Sequence, residues 1–132
     1  MDLLEEFSFD SLLDRFDRIG VAYSGGLDST VLLHLLTTKI NQKNKIHAIH
    51  VNHSVSFNSD KWEEFCKQNT KELGVNFFSY KLEKLTDPSE DDLRKIRYEK
   101  FNQWSSANDI ILTAHHKDDQ VETIFFRFLR GT

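Results

Sequence analysis

The sequence holds 132 residues with a formal net charge of −4, 39% hydrophobic content, eleven Phe and one Pro. A chain of this size makes one domain and buries roughly two-thirds of the surface its unfolded form exposes, so a disordered chain is excluded. No run approaches the ~18 unbroken apolar residues of a membrane helix, and the acidic start at Asp2, Glu5 and Glu6 lacks the basic region of a signal peptide; a cytoplasmic protein with no membrane partner is expected.

In chain order, residues 18–23 are a short apolar run that ends in glycines, and residues 27–38 place Leu27, Val31, Leu32, Leu35 and Leu36 at helical spacing. Residues 46–51 are β-branched and apolar. Residues 60–73 follow as a helix, with Asp60 and Glu63 as a capping pair and Gly74 where the helix stops. The lone Cys66 falls within it, which excludes an internal disulfide or a Cys-pair metal site and reads as a small, partly buried apolar residue.

Residues 75–82 supply a third strand, "TDPSE" at 86–90 a loop, and residues 89–106 a third helix with Leu93, Ile96, Arg97, Phe101 and Trp104 near helical period. "DIILTA" at 109–114 is a fourth strand, and Val121, Ile124, Phe125, Phe128 and Leu129 make the apolar stripe of a last helix. Strands alternating with helices give an α/β fold, a parallel sheet with helices on both faces, as one domain. His34, within a helix, and His47, at a strand start, read as structural, and Trp62 and Trp104 as core or half-buried residues and not as base-stacking platforms.

Ligands of such sheets bind beyond the carboxyl ends of the strands. The polar clusters fall there: residues 24–29 after the first strand, Asn52, His53 and Ser54 after the second, and residues 115–122 after the fourth. In "SGGLDS" the glycines let the backbone approach a ligand, and the following helix start offers unpaired N–H groups, the elements of a phosphate cradle. Walker A fails because no Lys follows, and the G-x-G-x-x-G fingerprint fails on spacing. Ser24 and Ser29 can donate to phosphate oxygens, whereas Asp28 would repel an anion unless Mg²⁺ sits between them. The plain alternative is a tight turn capped by Ser24.

The cluster His115-His116-Lys117-Asp118-Asp119-Gln120-Val121-Glu122 contains no H-x-x-x-H pair, which weighs against zinc. On a helix, Asp118 and Asp119 would each share a face with Glu122 and could hold an ammonium group or Mg²⁺, or simply favour the helix dipole.

"SGGLDS" after an apolar strand resembles the SGGxDS loop of the PP-loop ATP pyrophosphatases, which split ATP between its α and β phosphates. "HHKDDQVETIFFRFLRGT" resembles the HHxDDQxETxxxRxxRG segment of the tRNA(Ile)-lysidine synthetases within that superfamily. "HAIHVNH" resembles their HVNH segment, and the stretch from Arg94 to Phe101 their A-R-x-x-R-Y-x-x-F segment, with Leu93 where alanine is usual.

The resemblance implies a Rossmann-like fold of the adenine nucleotide alpha hydrolase type, with residues 1–132 as the N-terminal part of a catalytic domain that continues beyond Thr132. It implies ATP and Mg²⁺ as cofactors, free L-lysine and an isoleucine tRNA with a CAU anticodon as partners, and it admits a homodimer. The enzyme class is a ligase that adenylates C2–O of the wobble cytidine and lets lysine displace AMP. By matching position, Ser24, Gly25, Gly26, Leu27, Asp28 and Ser29 would hold ATP, with Asp28 near Mg²⁺. Arg97 would stabilise phosphate charge, Asp119 and Glu122 would hold the lysine ammonium, and His115 and Asp118 would line the reaction centre. The alternatives are a tRNA thiolase, against which the single Cys66 speaks, and a non-catalytic nucleotide-binding module. The plain alternatives for single residues are a surface position on its helix for Arg97 and a cap on the second loop for His53. The −4 charge fits tRNA binding carried by other parts of a longer protein.

Overall fold

The computed structural model describes residues 15–54, 58–83, 86–115 and 120–124. Five strands form one sheet in the order β3-β2-β1-β4-β5. They are β1 (Arg18–Ala22), β2 (Ile46–Asn52), β3 (Asn76–Lys81), β4 (Asp109–His115) and β5 (Gln120–Ile124), with helices α1 (Leu27–Lys39), α2 (Ser59–Leu73) and α3 (Glu90–Trp104) between them. The first four strands pair in parallel, with Ile19 opposite Ile46 and Ile110, so the central strand β1 is flanked by apolar β-branched neighbours. That pairing needs helical crossovers, which α1, α2 and α3 provide.

Side-chain alternation divides the core into two. Ile19, Val21 and Tyr23 face one side with Ile46, Ala48, Ile110 and Leu112, covered by Leu32, Leu33 and Leu36 of α1 and Cys66 of α2. Ile49, Val51 and Ile111 face the other, covered by Phe101 and Trp104 of α3. Helices therefore cover both faces. Gly20 makes the second layer possible: a Cβ there would lie 2.8 Å from Ile49 Cδ1 and 3.0 Å from the Trp104 ring, so any side chain would push α3 off the sheet. The outer end of the same layer is closed by Arg18, whose guanidinium lies 4.0 Å over the Trp104 ring and donates to the carboxylate of buried Asp109.

Local signals explain the helix ends. Gly74 caps α2 in the left-handed region at φ 77°, where glycine escapes the Cβ penalty. Ser89 caps α3 through a capping box with Asp92.

Two expectations are corrected. Asp60 and Glu63 do not cap α2, whose N-cap is Asn58 with no side-chain cap bond; both carboxylates instead accept from Asn52 Nδ2, at 2.9 and 3.4 Å. Residues 120–124 are not helical: β5 runs antiparallel to β4, with Glu122 opposite Thr113. Val121, Thr123 and Ile124 are β-branched, and the free edge of β4 supplies a backbone template, so strand pairing overrides helical spacing. Phe125, Phe128 and Leu129 lie outside the described residues.

Candidate functional site

β1 ends at Ala22 and the chain turns through residues 23–26 into α1. Gly25 makes the turn at φ 86°, in the left-handed region that glycine adopts without strain. The Ser24 side chain folds back, its Oγ accepting from Gly26 N at 3.2 Å, and it also meets Ser29 Oγ at 3.1 Å. Ser29 Oγ donates in turn to Gly26 O at 3.3 Å, and Thr30 Oγ1 donates to the same carbonyl at 2.7 Å. Gly26, not Ser24, is the N-cap of α1, and no side chain caps it, so a ligand at this end meets the positive end of the helix dipole.

From below, α2 supports this turn. Trp62 Nε1 donates to Ser24 O at 2.6 Å, and buried Cys66 sits 3.9 Å from the same oxygen. Burial, and secondarily the Glu63 carboxylate, pushes the Cys66 thiol up to about 11, so it stays a protonated, inert packing group at neutral pH.

The loop opens onto a cleft of about 880 Å³ at the carboxyl ends of β1, β2 and β4, a volume suited to a nucleotide-sized ligand. Ser24, Gly26, Leu27, Asp28 and Ser29 line it from the loop, His53 from the end of β2, Arg94, Arg97 and Tyr98 from α3, and Thr113 from β4. Arg97 is therefore a cleft residue; it pairs with the Glu90 carboxylate at 3.9 Å.

His53 Nδ1 is buried and has no hydrogen-bond partner among the described residues. Burial, and next the Arg97 guanidinium, hold its imidazole below the ordinary histidine value, with Glu90 opposing and His50 adding. His53 thus keeps a neutral ring at the wall of the cleft near Arg97. The loop that carries His53 is tied down by buried Asn52, which donates to Asp60 and Glu63 of α2 and accepts from Ser54 N at 2.9 Å. Ser79 of β3 also donates to Glu63.

The sequence-derived residues thus divide. Ser24, Gly26, Leu27, Asp28, Ser29 and Arg97 meet in one cleft, and Gly25 lies at the turn against α2. His115 ends β4, and Glu122 pairs in register with the cleft residue Thr113. Because residue 122 belongs to a strand, the shared helix face expected for Glu122 with Asp118 and Asp119 does not form there. Asp118 and Asp119 themselves lie outside the described residues.

Trp62 is the neighbour that the sequence reading left out of the site. The signal was there: Trp62 and Cys66 are four apart, hence on one helix face, and α2 covers the same sheet side as α1.

A family model described as a PP-loop domain matches residues 3–132. The chain belongs to the PP-loop family. Similar proteins include the tRNA(Ile)-lysidine synthase of Pseudomonas syringae pv. tomato, 45% identical over 114 residues, covering 84% of this chain and 26% of that protein. The namesake of Legionella pneumophila is 38% identical over 120 residues, covering 90% and 28%. That of Histophilus somni is 37% identical over 142 residues, covering 100% and 32%. The chain spans about a quarter to a third of the length of these curated relatives. In this PP-loop protein the Ser24–Ser29 turn is the segment that α2 underpins and that lines the cleft. Among the described residues no helix is long and apolar enough to cross a membrane.

Proposed function

We propose that this chain is the ATP-binding, adenylating part of a tRNA(Ile)-lysidine synthetase, with residues 1–132 forming the N-terminal part of its catalytic domain. The observation that carries the reading is the convergence of the Ser24–Ser29 turn, His53 and Arg97 on one cleft, together with relatives named tRNA(Ile)-lysidine synthase.

The polyphosphate of ATP lies at the N-terminus of α1, taking hydrogen bonds from backbone N–H groups of the turn and from the Ser24 and Ser29 hydroxyls. Asp28 fits Mg²⁺. Among the described residues no three His, Cys, Asp or Glu side chains gather to cage an ion, and Mg²⁺ is commonly held by one or two carboxylates with phosphate oxygens and water. When bound, the ion neutralises phosphate charge. Arg97 adds a fixed positive charge where the transition state gains negative charge.

In the reaction, the C2 oxygen of the wobble cytidine attacks the α-phosphorus, the bond from that phosphorus to the bridging oxygen breaks, and pyrophosphate leaves. The amine of L-lysine then attacks C2, and AMP departs with the oxygen. The ammonium must lose a proton before it attacks; Asp119 and Glu122 hold it, and His115 and Asp118 line the centre where it reacts.

A thiolase reading is disfavoured by Cys66, buried in packing with its thiol protonated, in a chain that holds no second cysteine. The test is incorporation of labelled L-lysine into an isoleucine tRNA transcript bearing a CAU anticodon, with ATP and Mg²⁺. Labelled tRNA is expected from the whole synthetase and not from residues 1–132 alone, and none when labelled norleucine replaces lysine or when ATP is omitted; ATP bound by the whole protein without transfer of label would leave only a nucleotide-binding module.

A further inference from the structure

We infer that Trp62 is a positioning residue of the phosphate loop, its indole N–H fixing the Ser24–Gly25 peptide in the orientation that the nucleotide meets. The inference rests on reading residues 24–29 as the ATP site and adds a residue that lies outside the family's motif segments in this sequence.

Five observations carry it. The indole nitrogen donates to Ser24 O at 2.6 Å, across 38 residues of sequence. A Cβ on Gly25 would lie 2.9 and 3.0 Å from Trp62 ring atoms, so the ring is flush against the turn. Trp62 lines the same cleft as Ser24, Asp28 and Ser29. Its ring also stacks on Phe65, with centroids 4.9 Å apart and planes 15° from parallel, a contact separate from the hydrogen bond to Ser24. At 45% exposure, Trp62 is not a core residue explained by apolar burial.

The physical consequence follows from peptide geometry. The C=O and N–H of a trans peptide point in opposite directions, so holding Ser24 O against α2 sends Gly25 N–H the other way. It also keeps a carbonyl oxygen from turning toward an anion, where its partial negative charge would repel phosphate. Cys66, one helical turn along, approaches the same oxygen at 3.9 Å, but a thiol is a weak donor, so the indole supplies most of the restraint. A loop held in the binding conformation loses less freedom when the nucleotide arrives.

The test compares wild-type protein with Trp62→Phe, which keeps an aromatic ring and loses the N–H donor, and with Phe65→Leu, which removes the stacking partner and leaves the hydrogen bond. Expected for Trp62→Phe is an ATP KM raised about tenfold, with kcat, the KM for L-lysine and the melting temperature near wild type. Phe65→Leu is expected to stay within about twofold of wild type for the ATP KM. ATP should also change the tryptophan emission of wild type and leave that of Trp62→Phe unchanged. A merely structural role would lower the melting temperature without moving the ATP KM. An unmoved ATP KM in Trp62→Phe, or an equal rise in Phe65→Leu, overturns the inference while wild type still binds ATP. Calorimetry showing no ATP binding by wild type overturns the nucleotide reading itself, and the inference with it.

Discussion

Ser24 and Ser29 bring their side-chain oxygens within 3.1 Å of each other across the glycine turn, and each also bonds the backbone of Gly26. Two hydroxyls held this close can turn their O–H bonds to one phosphate group, Ser29 exchanging its long bond to Gly26 O for one to the ligand. Ser29→Ala should therefore raise the Kd for ATP roughly fivefold to tenfold while the fold persists, since buried Leu32, Leu33 and Leu36 hold α1 to the sheet. Isothermal titration with ATP measures the first quantity and thermal melting the second; unchanged affinity would remove Ser29 from the site.

Asp28 lines the cleft beside these hydroxyls. Its carboxylate should repel free ATP and attract the Mg²⁺ complex. In wild type, Mg²⁺ is expected to tighten ATP binding, and in Asp28→Asn that gain should largely disappear while affinity for metal-free ATP rises or holds. Titrations with and without chelator give the comparison. Equal Mg²⁺ dependence in the two proteins would place the ion elsewhere.

Gly25 is constrained twice, by φ 86° and by Cys66 Sγ, which a Cβ would approach to 2.6 Å. Gly25→Ala should cost about 1–3 kcal/mol of stability through strain and overpacking. It should also abolish measurable ATP binding, because relief of the clash displaces the turn from Trp62. Chemical denaturation with a parallel binding assay separates the two effects; an alanine variant with wild-type stability would contradict the loop geometry.

Acid sensitivity follows from two histidines. His53 is lowered by burial and then by Arg97, and His47 by burial and then by Arg18, with Asp109 opposing at His47. The fold favours their neutral forms, so the unfolded chain binds more protons between the lowered folded values and the ordinary ~6.5. Their stabilising contribution is complete above about pH 6.5 and is lost as pH falls through that window. Asp60 and Asp92 are lowered by hydrogen bonds, to Lys81 and Asn52 and to Ser89 respectively, so their contributions fade only near and below the ordinary carboxylate value of ~3.9. The melting temperature should fall by a few degrees between about pH 7.5 and 5.5, and His53→Gln should flatten that slope. A slope unchanged in His53→Gln would mean that His53 titrates normally.

Much of the fold was legible because its signals are local. Apolar β-branched runs mark β1, β2 and β4, Gly74 marks the end of α2, and Ser89 with Asp92 marks the start of α3. The cleft was legible where residues sit at strand ends: Ser24, Asp28 and Ser29 after β1 and His53 after β2. Three features depended on tertiary contacts that residue spacing along one element does not announce. Trp62 reaches Ser24, Asn52 draws Asp60 and Glu63 away from capping, and β4 recruits residues 120–124 into an antiparallel strand. In that last stretch Val121 and Ile124 satisfy helical spacing, while β-branching also suits a strand, so the free edge of β4 decides.

The most direct test of the central claim is the identity of the products formed from α-labelled ATP by the protein with Mg²⁺, L-lysine and the isoleucine tRNA. Cleavage between the α and β phosphates predicts labelled AMP and one equivalent of pyrophosphate for each lysine joined to tRNA. Labelled ADP with inorganic phosphate, or no cleavage while ATP stays bound, would contradict it.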